Sequence, residues 1–151
     1  INRNGLAPGT PAPLFRLPRV DSGELSLEEF RGHPALLVFS DPHCGPCDEL
    51  APRLERVHRE RPDVKLVMIS RGEADLNRTK ARQHGLTFPV VLQRHWEISR
   101  LYAKFATPIA YLIDERGMVA AGVAMGVDAI LALLSGPASR PSDLAAASTR
   151  G

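Results

Sequence analysis

The fold of this chain is decided by one stretch, residues 35–47, which reads ALLVFSDPHCGPC. Its first five residues are all apolar, and an apolar run of this length is typical of a central strand covered on both faces of a sheet. Apolar residues then recur at helical spacing, which predicts a helix over about 47–60. A second buried strand is predicted at 64–69. Strand, helix and strand at this spacing indicate a βαβ crossover with parallel neighbouring strands.

The rest of the chain supplies the other elements of one α/β domain. Ser26 and Glu29 stand at capping-box spacing and predict a short helix. Further helices are predicted at 73–84, 98–105 and 127–134, and further strands at 14–17, 88–92, 109–113 and 118–124, the last two joined as a hairpin. We expect the domain to occupy residues 1–136. Residues 137–151 are poor in large apolar side chains and predict a flexible tail, or a short helix near 142–147.

The composition is that of a soluble globular protein. Hydrophobic residues make up 44% of the 151 residues, which excludes wholesale disorder. Nineteen basic residues stand against seventeen acidic ones, and no segment concentrates them, so a nucleic-acid partner is not expected. No apolar run approaches the ~20 residues needed to cross a bilayer. The chain starts at Ile1 rather than Met, which leaves open an upstream signal peptide or membrane tether.

Two cysteines, Cys44 and Cys47, are the only ones in the sequence. A structural zinc site takes four nitrogen or sulfur ligands, and only His43 lies beside this pair, so no metal is expected. A disulfide that closes a four-residue loop stabilises a fold by about 2 kcal/mol, against about 3 kcal/mol for a fifteen-residue loop. A purely structural role therefore explains this closely spaced pair poorly. The pair therefore predicts redox chemistry that needs no organic cofactor.

The strand-to-helix junction gives the two cysteines different roles. Unpaired N–H groups and the macrodipole at a helix start favour a thiolate on Cys44, and the thiolate is the nucleophile. We expect Cys44 to attack and Cys47, one turn further along, to resolve the mixed disulfide. Pro46 suits a first helical turn, because its missing N–H would have no partner there.

These features resemble the thioredoxin-fold redoxins, in particular the TlpA-like and ResA-like thiol–disulfide oxidoreductases. The similarity spans roughly residues 5–135. The stretches that carry it are 8–15, 25–27, 31–32, 36–40, CGPC at 44–47, Pro52, 85–89, Thr107-Pro108, 111–114 and Gly117. The resemblance implies a thioredoxin-like α/β fold with a central mixed sheet, helices on both faces and an inserted helix–strand–helix segment at 73–105. Residues 70–73 and 84–89 are similar to MauD, a methylamine-utilisation accessory protein.

The resemblance also assigns a role to Thr107 and Pro108. On sequence alone, a proline at a strand entrance is an ordinary edge residue, and X–Pro bonds are cis in only about one in twenty cases. In the family, the matching proline is cis, lies beside the active-site cysteines and keeps a backbone edge open for the substrate. We therefore expect Thr107, Pro108, His43, Gly45 and Pro46 to bind the substrate.

The function that the resemblance implies is dithiol–disulfide exchange with protein substrates and with an upstream thiol–disulfide partner that donates or accepts electrons. The CGPC motif and the Thr before proline favour the reducing direction. The MauD-like features favour an alternative, the formation or reshuffling of disulfides in a partner protein. A non-catalytic thioredoxin-fold binding module is a further alternative. TlpA-like proteins usually work outside the cytoplasm on a membrane tether, so we expect the periplasm or cell envelope, with the cytoplasm as the alternative.

Departures from the family pattern leave one role open. Val38 stands where thioredoxins carry a buried Asp, and Leu50 where ResA-like proteins carry a Glu near the second cysteine. The usual proton acceptor for Cys47 is therefore missing at both places. Glu49 is a carboxylate close to Cys47 in sequence, but it is expected to point to solvent. His84, beside Gly85, is interpreted as a helix C-terminus rather than a metal ligand.

Two further functions are disfavoured. Peroxiredoxins carry a Thr three positions before their reactive cysteine, where its hydroxyl helps to bind peroxide. Asp41 takes that place here, and a carboxylate repels a thiolate and donates no hydrogen bond. Trp96, Tyr102 and Phe105 follow helical spacing and are interpreted as core or partly buried residues rather than a ligand-stacking group.

Overall fold

A five-stranded mixed sheet organises residues 5–135, the part of the chain that the computed structural model describes. A two-stranded antiparallel sheet precedes it. In chain order the strands are β1 (Arg16–Pro18) and β2 (Glu24–Ser26) of the small sheet, then β3 (Ala35–Ser40), β4 (Lys65–Arg71), β5 (Val90–Gln93), β6 (Ile109–Ile113) and β7 (Ala124–Met125) of the main sheet. The main sheet has the order β5-β4-β3-β6-β7, in which β3, β4 and β5 are parallel and β6 is antiparallel to both neighbours. The predicted βαβ crossover and mixed sheet are confirmed.

Helices cover both faces of this sheet, as predicted. They are the short 3-10 helix η1 (Leu27–Phe30) and the α-helices α1 (Gly45–Glu60), α2 (Ala74–Gln83), α3 (Glu97–Leu101) and α4 (Val127–Ser135). Because side chains alternate along a strand, Leu36 and Val38 of β3 pack with α1 and α4, whereas Leu37 and Phe39 pack with η1 and α3. All six residues of β3 are buried. The predicted inserted segment is α2–β5–α3, and its strand extends the sheet beyond β4.

Two helices differ from their predicted bounds. α1 begins at Gly45, two residues earlier than expected, because Cys44 serves as its N-cap. α3 ends at Leu101 rather than near residue 105, and Ala103 then adopts a left-handed backbone with φ 57°. Phe105 consequently lies outside the helix and is 58% exposed, more than the sequence interpretation allowed.

The predicted hairpin after β6 forms only in part. The turn at residues 114–117 closes as expected and Ala120 N donates to the Leu112 carbonyl, but the predicted strand at 118–124 is not continuous, and only Ala124–Met125 forms a strand, β7. Val119 bridges to Ile113 on one side, and on the other side its backbone exchanges hydrogen bonds with Gly9 and Thr10 at 2.8 Å each. The N-terminal lead-in therefore pairs with the outer edge of the hairpin, on the side away from β6.

The predictions for the chain ends lie partly outside the described residues. The domain boundary at residue 136 and the tail at 137–151, with its alternative short helix, stay predictions. Among residues 5–135, no helix combines the length and the apolar character that a membrane crossing requires.

Candidate active site

Cys44 and Cys47 form a disulfide at the junction of β3 and α1. Their Cα atoms are 5.2 Å apart, and the Sγ of Cys44 accepts a hydrogen bond from the Cys47 backbone N–H at 3.3 Å. Cys44 is half-buried, whereas Cys47 is only 3% exposed. This difference in exposure favours Cys44 as the sulfur that a substrate reaches first.

The start of α1 stabilises negative charge on Cys44. The first N–H groups of a helix lack partners within the helix, and the aligned peptide dipoles place partial positive charge there. α1 runs for 16 residues from its N-cap, Cys44, and Pro46 occupies its first turn. Since the Cys47 N–H already points at the sulfur of Cys44, the junction is suited to hold a thiolate.

Asp41 fixes the loop between β3 and α1. Its Oδ1 accepts a hydrogen bond from the His43 N–H at 2.8 Å, and its Oδ2 pairs with Arg71 Nη1 at 2.9 Å. Arg71 is the last residue of β4. Its guanidinium lies 3.8 Å from the ring centroid of Trp96, and its Nε donates a hydrogen bond to the His95 carbonyl. Sequence reasoning missed Arg71. Neighbouring parallel strands end at the same edge of a sheet, and Arg71 closely follows the predicted strand at 64–69, so its position beside the cysteines could have been inferred.

Thr107 and Pro108 lie at the same end of the sheet as the disulfide. The peptide bond between them is cis, as the family resemblance implied. Ile109 is paired with Phe39 across the antiparallel β3–β6 ladder, so Pro108 stands next to the last residue of β3. Pro108 is buried and Thr107 is half-buried, and the Pro108 carbonyl accepts a hydrogen bond from Gly126 N at 3.0 Å.

The predicted substrate-binding residues next to Cys44 are open to solvent. His43, Gly45 and Pro46 are all exposed, so His43 presents an accessible imidazole. Two apolar side chains near Thr107 were not singled out as part of this region: Phe105, which packs edge-on against Trp96 at 5.8 Å between ring centroids, and Met125, which is 51% exposed.

Beneath Cys47 lies a small cavity of about 20 Å³. Its wall includes Cys47, Asp48, Lys80 and His84. Asp48 Oδ2 pairs with Lys80 Nζ at 2.8 Å, and Asp48 Oδ1 faces His84 Nε2 at 3.3 Å. The hydrogen bond from Lys80 is the main reason that the pKa of Asp48 is lowered; partial burial opposes it and His84 adds to it. The helix α2 therefore brings two basic side chains to the first turn of α1.

The positions that usually hold a proton acceptor are apolar, as the sequence predicted. Val38 and Leu50 are each 1% exposed and belong to the hydrophobic cluster around α1. Glu49 points to solvent and makes a loose ion pair with Arg53 at 3.8 Å. His84 is the C-cap of α2, which confirms its interpretation as a helix C-terminus. In residues 5–135, no three His, Cys, Asp or Glu side chains are placed to bind a metal together.

A disulfide that spans CGPC at the first turn of a helix, with a cis-proline at the same edge of a mixed sheet, defines a thioredoxin-fold thiol–disulfide oxidoreductase. The sequence matches the AhpC/TSA family over residues 8–121, and the chain belongs to this family.

Individual relatives agree with this assignment. The chain is 31% identical over 120 residues to the thiol-disulfide oxidoreductase ResA of Geobacillus thermodenitrificans, an alignment that covers 78% of this chain and 69% of that protein. It is 28% identical over 120 residues to the thioredoxin-like protein YneN of Bacillus subtilis, covering 76% and 70% of the two chains. The MauD-like features stay a prediction.

Solved structures agree on the fold. A thioredoxin-family thiol:disulfide interchange protein from Chlorobium tepidum superimposes with a TM-score of 0.72 at 23% identity, covering 87% of this chain and 99% of that one. A secreted Mycobacterium tuberculosis disulfide oxidoreductase, described as homologous to Escherichia coli DsbE, gives 0.67 at 22% identity, covering 79% and 96%. The predicted thioredoxin-like fold is confirmed.

Proposed function

We propose that this thiol–disulfide oxidoreductase reduces disulfide bonds of proteins outside the cytoplasm, with Cys44 as the attacking sulfur and Cys47 as the resolving sulfur. The observation that carries this proposal is the disulfide at the start of α1, in which the first cysteine is half-buried and the second is 3% exposed.

The reaction follows two displacements. The Cys44 thiolate attacks one sulfur of the substrate disulfide, which breaks that bond, forms a mixed disulfide and releases one substrate thiolate. Cys47 then loses its proton and attacks the sulfur of Cys44. The Cys44–Cys47 disulfide forms, the second substrate thiolate leaves, and two electrons have passed from the protein to the substrate. An upstream dithiol returns two electrons to the protein.

A surface around the disulfide is suited to a protein substrate. We assign substrate binding to His43, Gly45, Pro46, Thr107 and Pro108. Three of them are exposed beside Cys44, and the other two lie at the same end of the sheet. An extended substrate segment placed there presents its disulfide to Cys44.

Peroxide reduction fits this site less well. Asp41 holds the position at which peroxiredoxins carry a Thr, and both of its carboxylate oxygens already accept hydrogen bonds, from His43 N and from Arg71. It has no hydroxyl proton to donate to a peroxide, and its charge opposes a second anion beside it.

Insulin reduction tests the activity. We expect the wild-type protein, supplied with a dithiol reductant, to accelerate the reduction of insulin disulfides, and Cys44→Ser to abolish the effect while the far-UV circular dichroism is unchanged. A wild-type protein as inactive as Cys44→Ser would instead favour the non-catalytic binding module. A Cys47→Ser variant is expected to retain substrates as mixed disulfides through Cys44, and mass spectrometry then identifies them.

The direction of electron flow has its own test. The CGPC motif and the Thr107–Pro108 pair support reduction, whereas the MauD-like features support disulfide formation or reshuffling. Equilibration with a glutathione buffer gives the reduction potential. A value near that of thioredoxin, about −270 mV, agrees with a reductase, and a value well above it favours the alternative.

The extracytoplasmic location and a membrane tether are supported by the family resemblance, and one structural neighbour is described as secreted. Labelling of intact cells with a membrane-impermeant thiol reagent tests the location. Labelling of Cys44 before lysis agrees with the proposal, whereas labelling only after lysis favours the cytoplasm.

A further inference from the structure

The second displacement requires Cys47 to lose a proton inside the protein. The thiolate, not the thiol, is the nucleophile, and burial in apolar surroundings disfavours the charged form. Cys47 is 3% exposed, and the nearby positions Val38 and Leu50 are apolar and buried. The acceptor for this proton must therefore come from elsewhere in the fold.

Four ionisable side chains line the cavity that Cys47 shares with α2 and the active-site loop: Asp41, Asp48, Lys80 and His84. Both oxygens of Asp41 already accept hydrogen bonds. Lys80 is an ammonium group with no acceptor site. Asp48 is held by Lys80 at 2.8 Å, an arrangement that favours its charged form and makes it a weak base. His84 is left as the group that can accept a proton, because a neutral imidazole carries one ring nitrogen with a lone pair.

We propose that His84 accepts the proton of Cys47 through one water molecule in this cavity, and that Asp48 is the positioning residue for the imidazole. The inference rests on the proposed roles of Cys44 and Cys47. The cavity of about 20 Å³ exceeds the ~10–15 Å³ that a single water requires. Much of its wall is apolar, but Ser40, Asp48 and His84 on the wall carry groups that can hydrogen-bond such a water.

The proton leaves the Sγ of Cys47, crosses the water and ends on the imidazole of His84. The resulting imidazolium directs its Nε2–H at Asp48 Oδ1, where the distance is 3.3 Å. The Cys47 thiolate then attacks the sulfur of Cys44 and displaces the substrate thiolate. When the Cys44–Cys47 disulfide is later opened by reduction, the imidazolium returns the proton to Cys47.

The surroundings of His84 suit a transient cation. Its side chain is only 19% exposed, and it stands at the C-terminus of the ten-residue helix α2, where the helix dipole favours positive charge. Asp48 supplies the opposite charge directly. Lys80 compensates part of that charge.

A two-step colour assay separates the two sulfurs. The reduced protein is mixed with one equivalent of an aromatic disulfide that releases a coloured thiolate at each displacement, and both releases are followed by stopped flow across pH. The first release reports the attack by Cys44 and the second reports the attack by Cys47. We expect His84→Gln to slow the second release on the order of 10²-fold and to leave the first unchanged.

The pH profile gives a readout that a purely structural role would not move. In the wild type, we expect the rate of the second release to rise with pH as the proton acceptor becomes neutral, and His84→Gln to lose that dependence. Asp48→Asn removes the partner of the imidazolium, so its pH profile for the second release should differ from that of the wild type. In His84→Ala, imidazole added to the buffer should restore much of the lost rate, which keeps the test valid if glutamine disturbs the packing.

The matched control is His33→Gln, the same substitution at an exposed histidine before β3, at the opposite end of the sheet from the disulfide. Neither release should change in it. A second release in His84→Gln that equals the wild type, or an equal slowing of both releases, overturns the role of His84. Absence of the first release in the wild type overturns the proposed function itself, and the inference with it.

Discussion

Asp41 and Arg71 join the ends of two neighbouring parallel strands through a contact of 2.9 Å between Oδ2 and Nη1. Asp41 directly follows β3, and Arg71 is the last residue of β4. The same guanidinium stacks on Trp96, which belongs to the inserted segment before α3. The loop that leads to Cys44 is therefore held from the side by the next strand and by the insertion.

Replacement of this guanidinium should loosen the loop. We expect Arg71→Met to lower the free energy of unfolding by about 1–2 kcal/mol, because it removes a half-buried ion pair and a cation–π contact. Trp96 is the only tryptophan of the chain, so its fluorescence should change as well. Urea denaturation followed by tryptophan emission measures both. Arg53→Met removes only a loose exposed pair and should have little effect; an equal loss in both variants would contradict this account.

The acidity of Cys44 can be measured without its partner. In Cys47→Ser, the remaining thiol should be alkylated by iodoacetamide with a midpoint at lower pH than the value of about 8.5 for free cysteine, because the start of α1 stabilises the thiolate. In Cys44→Ser, the buried Cys47 should react far more slowly at every pH. A Cys44 that titrates like free cysteine would remove the basis for its role as the attacking sulfur.

Local sequence patterns predicted most of the frame that holds the site. The apolar run of β3 and the helical period of α1 are local signals, and both elements formed close to their predicted bounds. The predicted strand at 118–124 formed only in part: its start pairs with the end of β6, and its other edge pairs with the lead-in around Gly9, more than a hundred residues away in the chain. No local pattern reports a backbone pairing over that distance.

The polar contacts around the cysteines were beyond sequence reasoning for the same reason. Asp48 and His84 are separated by 36 residues, and Asp41 and Arg71 by 30, so each pair depends on how the insertion packs against α1 and β3. The cis bond before Pro108 was predicted from family resemblance alone, because the base rate of cis X–Pro bonds favours trans.

Recognition of a protein substrate can be separated from chemistry at the disulfide. Phe105 is 58% exposed and stands two residues before Thr107. If it contacts protein substrates, Phe105→Ser should raise KM for insulin several-fold, since burying one large apolar side chain is worth about 1.5–3 kcal/mol, of which an interface recovers only a part. Reaction with a small aromatic disulfide should not change.

Leu14→Ser is the matched control for this prediction. Leu14 is similarly exposed at 52%, but it lies beside His33 and Ile113, at the other end of the sheet. Its replacement should leave KM for insulin unaltered. Equal effects of the two variants would indicate a general change in solubility or stability rather than a substrate surface near Thr107.

Glu55 connects α1 to the loop before β5. The residue is only 5% exposed. The Oε1 of Glu55 accepts a hydrogen bond from Thr87 N at 2.8 Å. Its Oε2 accepts a hydrogen bond from Thr87 Oγ1 at 2.6 Å and pairs with Arg59 Nε at 2.8 Å. Burial by itself raises the pKa of this carboxyl group. The hydrogen bonds from Thr87 and Arg59 together outweigh burial, so the pKa is lowered from its ordinary value of 4.5.

The stability that this carboxylate supplies should therefore depend on pH. Because the pKa is lower in the folded than in the unfolded state, the contribution is complete above pH 4.5 and is lost as the pH falls through the lowered value. We expect Glu55→Gln to reduce the free energy of unfolding by about 1–3 kcal/mol at neutral pH, and the difference from the wild type to shrink in acid. Urea denaturation at a series of pH values measures this. Glu60→Gln, at the exposed end of the same helix, should show little loss at any pH. A loss in Glu55→Gln that stays constant with pH would mean that shape rather than charge matters at this position.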